Sequence, residues 1–588
     1  MVSSHKFEGS KYFAEFCSII FNVNFEYKKN KFKNMKYLIK SLIIVSLVVS
    51  FFTTFGQNTD SNVLSVMNGI EYASFNQHLQ YLASDELQGR DVASQGYNKA
   101  ANYVAGEFQK YGLQPFGDNG TFFQKVDFIK PSIVVSTFKM QLKNNSKTVN
   151  GILGENVALL VNYDKPVFTE NQKFVFAGYG NILPELNIND YAGIDVKGKT
   201  VLIAIGGPKG LVNKEFDDLF AKINHAKSQG AVGVILFVPS YNAVQDLIFK
   251  RIYNVTNTRT FNLADTAINF SMFDFDLKIA GFVKKDFVKE IFELNNVNLK
   301  KTIKNMEDGI FSSFEFSSAL ECSYQVKIEK VDCKNIVALL PGSDTELQSE
   351  YVVLGGHLDH IGIGEAVDGD SIYNGLWDNA SGSSAILSIA KAFSQFTVNP
   401  KRSIIFVCFT AEEKGLLGSN FYANRNEVKD GKIAAIVNMD MIGSLFEASD
   451  IAPIGYSHSN LSQAVDYAAK TLNLTIASSE AAENDYIERS DQMSFIKTGV
   501  PALNLSHGKA STNPEIDGEK ALNYWMDKVY HSPADDLKMV YSEAAFLTAI
   551  KANFLTLYYI ADRMDKIEWN EESYLYKKYV LKEKVVEE

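Results

Sequence analysis

From about residue 330 onward, short apolar runs alternate with helix-period stretches, and that alternation restricts this part of the chain to few folds. NIVALL, YVVLGG, RSIIFVCFT, AAIVNMD and PALNLS have strand length and are rich in Val, Ile and Phe. Helix-like segments at 379–396, 415–428, 459–472, 490–498 and 541–564 lie among them. Strands that read as near-continuous apolar runs are buried on both faces, and interleaved helices supply the cover. The expected fold is therefore α/β, a mostly parallel mixed sheet with helices on both faces. In such sheets ligands bind beyond the carboxyl ends of the strands.

Five segments put carboxylates and imidazoles at strand ends or in their loops. They are GGHLDH (His357, Asp359), GLWDNASG (Asp378), TAEEKG (Glu412, Glu413), NMDMIG (Asp440) and YHSPAD (Tyr530, His531). Residues i and i+2 of an extended chain share a face. Asp359 is thus expected to accept the second ring N–H of His357 and fix its tautomer. Asp378 precedes a helix expected from about Asn379, and its two oxygens can bridge two cations beside the helix N–H groups. Adjacent strand residues point opposite ways, so one glutamate of the Glu412–Glu413 pair can ligate while the other reaches a water.

Each motif alone has an ordinary reading. Asp378 resembles a helix N-cap, and His357 with Asp359 fits a glycine-rich turn. Two acids at the end of the most hydrophobic strand are hard to read as solvated charge. Jointly, two imidazoles and three carboxylates suit a pair of zinc ions with positions open to water and substrate. His360 reads as structural.

Upstream, Tyr97, Ala101, Val104 and Phe108 form one helix face, stopped by Gly112 and Pro115. Residues 150–290 change character. KFVFAGYG, TVLIAIGG and AVGVILFV are β-rich, with a helix pattern in FDDLFAKINHAKSQG. His225, inside that pattern, reads as structural. At 588 residues, two or three domains are expected.

At the N-terminus, Lys28, Lys29, Lys31, Lys33, Lys36 and Lys40 lead into LIIVSLVVSFFTTFG. This has the form of a signal peptide, with cleavage expected after Gly56. An uncleaved anchor is the competing reading, but the apolar run of roughly 15 residues is short of the ~20 that span a bilayer. Met35 alone begins a conventional signal peptide, so the first 34 residues look like an over-long start. Residues 1–56 carry eight Lys and three Glu, so their removal takes the net charge from −11 to −16. That acidic balance argues against nucleic acid and anionic membranes as partners. Cys322, Cys333 and Cys408 then remain, too few for a disulfide framework. Cys408 reads as a buried thiol, and Cys322 and Cys333 are open to pairing or to remaining free.

The ordered set HxD, D-N, E-E, D and Y-H resembles the co-catalytic zinc aminopeptidase family. HLQYLASDELQGRDVASQGYNKAANYVAGEFQKYGLQP is similar to that family's N-terminal segment. FVFAGYG, DYAGIDVKGKTVLI and HAKSQGAVGVILF resemble a protease-associated domain inserted in some members. The resemblance implies two zinc ions, one held by His357, Asp440 and Asp378, the other by Asp378, Glu413 and His531. It implies Glu412 as general base and acid, Tyr530 as oxyanion donor, and a cis peptide after Asp378. Leu376, Trp377 and the SDQ at Ser490–Gln492 depart from the usual pattern. So does the loop carrying Glu365, Asp368 and Asp370.

The implied order is a signal peptide (1–56), an N-terminal part of the peptidase domain (57–140), a protease-associated insert (141–300), the zinc peptidase domain (301–568) and a charged tail (569–588). The implied protein is exported, periplasmic or extracellular. It acts on peptide or protein N-termini, without nucleic acid and without stable membrane insertion after cleavage, and its oligomeric state is open. The competing readings are a carboxypeptidase of the glutamate carboxypeptidase type, a glutaminyl cyclase, disfavoured by the insert, and a non-catalytic binding protein of the same fold.

Overall fold

Buried apolar runs satisfy their backbones by pairing side by side, and here they form two mixed sheets. The computed structural model describes residues 61–581, apart from 145, 161–166, 212, 214–215, 217, 240–248, 251–252, 254–260, 266–276, 311–312, 426–427, 429–430, 444, 478–482 and 484–485. Residues 61–69 belong to a unit of their own, helical at 61–68. The unit from Ile70 onward carries both large sheets. The expected signal peptide with its cleavage point, and the tail beyond 581, lie outside the described residues.

The main sheet contains β1 (Phe123–Ile133), β2 (Phe314–Leu340), β3 (Glu350–His357), β4 (Ser403–Phe409), β5 (Lys432–Asn438), β6 (Asp450–Ile454) and β7 (Ala502–His507). Their order is β1-β2-β4-β3-β5-β7-β6. The four central strands, β4, β3, β5 and β7, run parallel, and the flanking pairings are antiparallel. Every residue of β4 is buried. Its alternation shows why: Val407 and Phe409 share a core with Tyr422, Met493 and Phe495 of helices Leu417–Asn424 and Gln492–Ile496. Phe406 instead meets Phe108 and Phe393 of helices Gln95–Lys110 and Gly382–Phe393. Helices therefore cover both faces, as the apolar runs require.

Helix Gln95–Lys110 buries Tyr97, Ala101, Val104 and Phe108, and Ser94 caps it by accepting the Tyr97 N–H at 3.0 Å. The later helices are shorter than their periodic stretches. Helix Gly382–Phe393 starts three residues past the expected Asn379, because Asp378 and Asn379 have non-helical dihedrals. The stretch Glu543–Arg563 is long and apolar enough to cross a membrane, and most of it is buried within the protein. Phe554 there packs on Phe393 at 4.9 Å, so core packing accounts for the apolarity.

A second sheet contains strands Lys139–Lys143, Thr148–Gly151, Val157–Leu160, Val167–Phe176, Thr200–Ala204, Gly233–Phe237 and Ile279–Val283. Ile223 and Ala226 of helix Leu219–Ser228 cover one face, and Phe287, Ile291 and Phe292 of helix Lys285–Leu294 the other. His225 faces main chain, with Nδ1 3.2 Å from Ile182 N and 3.3 Å from Gly180 O.

β2 belongs to both sheets. Phe314–Gln325 pairs with Val167–Phe176, and Val326–Ile336 pairs with β1. The second sheet thus runs on past the boundary expected at residue 300. The period-two pattern of EFSSALECSYQV marks a strand with two unlike faces, so the strand begins well before the apolar run NIVALL. Cys322 and Cys333 both lie on β2, and eleven residues of extended chain separate them by about 36 Å. They cannot pair, and all three described cysteines are free and buried.

Candidate metal centre

The ends of three central strands and two loops deliver the carboxylates and imidazoles to one place. β3 ends at His357, β4 leads through Thr410 to Glu412 and Glu413, and β5 leads to Asp440. The turn before helix Gly382–Phe393 supplies Asp378, and the loop after helix Gly518–Lys528 supplies Tyr530 and His531. His357 Nε2 lies 3.2 Å from both Asp378 Oδ1 and Asp440 Oδ1. His531 Nε2 lies 3.1 Å from Asp378 Oδ2 and 3.4 Å from Glu413 Oε2. Asp378 thus turns one oxygen to each imidazole.

Electrostatics follow from that geometry. Burial opposes charge on His357, but Glu412, Asp440 and Asp378 outweigh it and hold the ring well above its ordinary range. Burial likewise opposes charge on His531, yet Glu413 and Asp378 lift it to about 10. Burial and Glu413 work against ionisation of Asp378, and the hydrogen bonds from His357 and His531 win, holding it low. Glu413 is held well below its usual range by His531 and His360 despite burial. Glu412 goes the other way. Burial raises it well above the carboxylate range, and Asp440, Asp491 and Glu413 add to the rise.

The Asp359 expectation needs correction. The chain leaves extended conformation after His357, so the i, i+2 rule fails there. His357 Nδ1 instead meets the main-chain oxygen of Asp359 at 3.0 Å. The Asp359 carboxylate accepts the N–H groups of Glu412 (3.1 Å) and Glu413 (3.4 Å), so it orients the acidic pair through its backbone. That pair sits in a turn, with Glu412 O accepting from Gly415 N at 2.8 Å, so no strand pleat sets its two side chains apart.

His360 is more than the structural residue expected from its place in the sequence. Its Nδ1 lies 2.7 Å from Glu413 Oε1, and its buried Nε2 has no partner. It occupies one oxygen of Glu413 while His531 faces the other. Tyr530 stacks on His531 with ring centroids 3.8 Å apart. Burial and the carboxylates of Asp378, Glu413, Glu412 and Asp440 keep its hydroxyl protonated far above its usual range.

The Asp378 turn is held by groups that residue type and spacing do not reveal. The fully buried Asp535 accepts Trp377 N at 2.9 Å and Asp378 N at 3.1 Å, and its main-chain oxygen accepts Leu376 N at 3.0 Å. Asn379 donates to Met439 O (2.9 Å) and accepts Gly382 N (3.0 Å) and Met441 N (3.2 Å), tying the Asp378 turn to the Asp440 strand. The Asp378–Asn379 peptide is cis. Gly375, at φ +59°, leaves room that a side chain would take, since a Cβ there would lie 2.5 Å from the His360 ring.

The unusual Leu376 and Trp377 are buried supports, Trp377 packing edge-on to Trp525 at 4.4 Å. Gln492 accepts from Asn438 at 2.8 Å, at the end of β5. The hairpin Gly362–Tyr373 carries Glu365, Asp368 and Asp370, none of them in contact with the five clustered residues.

The donor set fits divalent cations. His357, Asp378 and Asp440 offer atoms within 4.8 Å of one another, as do His360, Asp378 and Glu413. A cluster that raises both His357 and His531 is one in which metal ions would displace protons and neutralise the carboxylates directly. Imidazole with carboxylate oxygen is a zinc donor set.

Comparison with known proteins bears on this arrangement. Aminopeptidase Y of Saccharomyces cerevisiae is 30% identical over 260 residues, 43% of this chain and 42% of that protein. Leucine aminopeptidase 2 of Trichophyton rubrum is 32% identical over 226 residues, 36% of this chain and 42% of that protein. The chain thus spans less than half the length of these curated relatives. Among solved structures, an aminopeptidase from Aneurinibacillus sp. strain AM-1 aligns over 87% of this chain and 98% of its own, at 18% identity and TM-score 0.48. The family model for peptidase family M28 matches residues 335–557, a stretch that holds all five clustered donors. Over those residues this chain is similar to peptidase family M28.

Proposed function

We propose that this protein is an exported zinc aminopeptidase that uses two metal ions. The observation that carries the reading is the convergence on Asp378, whose two oxygens face His357 with Asp440 on one side and His531 with Glu413 on the other. His357, Asp440 and one Asp378 oxygen would hold one zinc. The other Asp378 oxygen, Glu413 and His531 would hold the second, with His360 steadying Glu413. Zinc bound there would supply Lewis acidity and bring the pKa of a water towards ~7.

Glu412 takes the proton of the attacking water and passes it to the leaving amine. Burial raises its basicity, which suits it to that exchange. Tyr530, kept protonated, donates to the carbonyl oxygen as negative charge gathers on it. Asp359 keeps Glu412 and Glu413 in register by holding both of their N–H groups. The relatives' names, aminopeptidase Y and leucine aminopeptidase 2, support N-terminal residues of peptides as the substrate class. The second sheet is assigned as the protease-associated insert. The lysine-rich stretch and apolar run before Gly56 support export.

The test is elemental analysis together with a panel of aminoacyl p-nitroanilides, N-acetylated controls and C-terminal substrates. Two zincs per chain and cleavage of free-amino substrates alone are expected. Release of C-terminal residues would replace the aminopeptidase reading with a carboxypeptidase, and fully active protein with one metal or fewer would refute the two-ion arrangement.

A further inference from the structure

We infer that Arg90 is a positioning residue for the metal centre, and that the turn Asp85–Arg90 with Asp91 locks the loops carrying its ligands. The inference rests on the two-zinc reading proposed for the site. The turn lies far outside the stretch matched to the peptidase family, residues 335–557.

Arg90 is fully buried, and its guanidinium donates to four main-chain carbonyls. These are Leu82 O, Leu358 O at 2.9 Å, Asn374 O at 2.7 Å and Gly375 O at 3.0 Å. Leu358 follows His357 directly, and Asn374 and Gly375 lead into the Asp378 turn. The carbonyl of Arg90 accepts His360 N at 3.3 Å. Asp91 then pairs at 2.7 Å with Lys414, a 3% exposed side chain next to Glu413. Asn374 also donates to Ala83 O (3.0 Å) and Asp85 Oδ1 (2.9 Å). One short stretch therefore grips the segments of His357, Asp378 and Glu413.

The backbone of the turn is a second, independent observation. Gln88 (φ +49°), Gly89 (φ +67°) and Arg90 (φ +52°) are consecutively left-handed. Side-chain-bearing residues rarely adopt that conformation, and it persists where surrounding contacts over-determine it. A Cβ on Gly89 would lie 2.2 Å from Tyr373 O, so the turn is pressed against the hairpin that leads to Asp378.

A guanidinium fork suits this task because its planar donors reach several carbonyls at once, whereas a lysine ammonium cannot reproduce the geometry. A purely electrostatic role makes the opposite prediction. Arg90 faces Asp535, Asp359, Asp378 and Glu413, and removing a nearby positive charge would by itself strengthen cation binding.

The experiment uses the full chain stripped of metal and titrated with zinc against a chromogenic chelator. Folding is checked by circular dichroism, and ligand geometry by the visible spectrum of the cobalt-substituted protein. Arg90→Lys keeps the charge and loses the fork. It is expected to weaken the looser zinc by roughly 10–100-fold and to alter the cobalt spectrum. Added zinc should restore kcat, with KM little changed.

Asp91→Asn should act in the same direction more mildly. It decides the question if Arg90→Lys does not fold. Wild-type zinc affinity and cobalt spectrum in folded Arg90→Lys, or in Asp91→Asn should the first not fold, overturn the inference. So does tighter zinc binding by Arg90→Met. Wild-type protein that takes up no zinc overturns the two-zinc reading instead.

Discussion

Replacing Asp535 with asparagine tests whether the Asp378 turn is held from behind. The wild-type carboxylate presents one oxygen to Trp377 N at 2.9 Å and the other to Asp378 N at 3.1 Å. Burial lifts it to about 6 against those two N–H bonds, so it is ionised at pH 8. Asparagine has nearly the same shape but a single acceptor. Its NH2 would oppose one of the two N–H groups, leaving a buried donor unpaired at a cost of about 1–3 kcal/mol. The remaining bond also loses its charge assistance, so a total of about 2–4 kcal/mol is expected. In a cooperative unit this large, each kcal/mol moves Tm by no more than about 2–4 °C. The direct consequence is at the metal. Asp378 faces both imidazoles, so loosening its turn should weaken zinc by roughly 10–100-fold. The assay is thermal unfolding of stripped and zinc-loaded protein, with zinc affinity from chelator competition. Asp535→Asn should lower both Tm values and narrow the gap between them. Unchanged zinc affinity in a destabilised variant would mean that Asp535 supports the fold without aligning the ligand, and the reasoning would fail.

Glu412→Gln removes the proposed base while keeping size, and turnover should fall by about 10²–10⁴. Tyr530→Phe should cost about 10²–10³ through loss of one donor, and both variants should retain their zinc; full activity of Glu412→Gln would sink the mechanism. Glu413→Gln should instead lose metal, which elemental analysis reads directly. In stripped protein, His531 is lifted to about 10 by Glu413 and Asp378 against burial. A raised histidine stabilises fully below its unfolded value of ~6.5 and loses that contribution as pH rises through its folded value. The Tm of metal-free protein should therefore decline between about pH 7 and pH 10, and His531→Gln should flatten that decline. Mass spectrometry of protein from its native host should find no residue before about position 57; intact residues 1–34 would refute the proposed cleavage.

Local sequence determined much of this protein because the relevant signals are short-range. β4 is buried throughout, and SIIFVCF says so by offering no polar face. The helix face of Tyr97, Ala101, Val104 and Phe108 follows from its period, and Ser94 caps it. The five motifs follow from their types and from the rule that parallel sheets bind ligands at carboxyl ends. Tertiary structure decided which groups meet. Strand geometry assigns Asp359 to His357, but β3 ends at His357 and the turn sends that carboxylate to the Glu412–Glu413 backbone. His360 gives no sign of reaching Glu413, because a contact across 53 residues depends on how two loops fold back on each other. Nothing in residue type or spacing sets Asp535 or Arg90 apart from other charged residues. Both are buried because distant main-chain groups, across 157 and 284 residues, converge on them. Residue type and spacing encode which side chains can do chemistry. The partners that hold them depend on long-range closure of the chain, for which a single sequence carries no periodic signal.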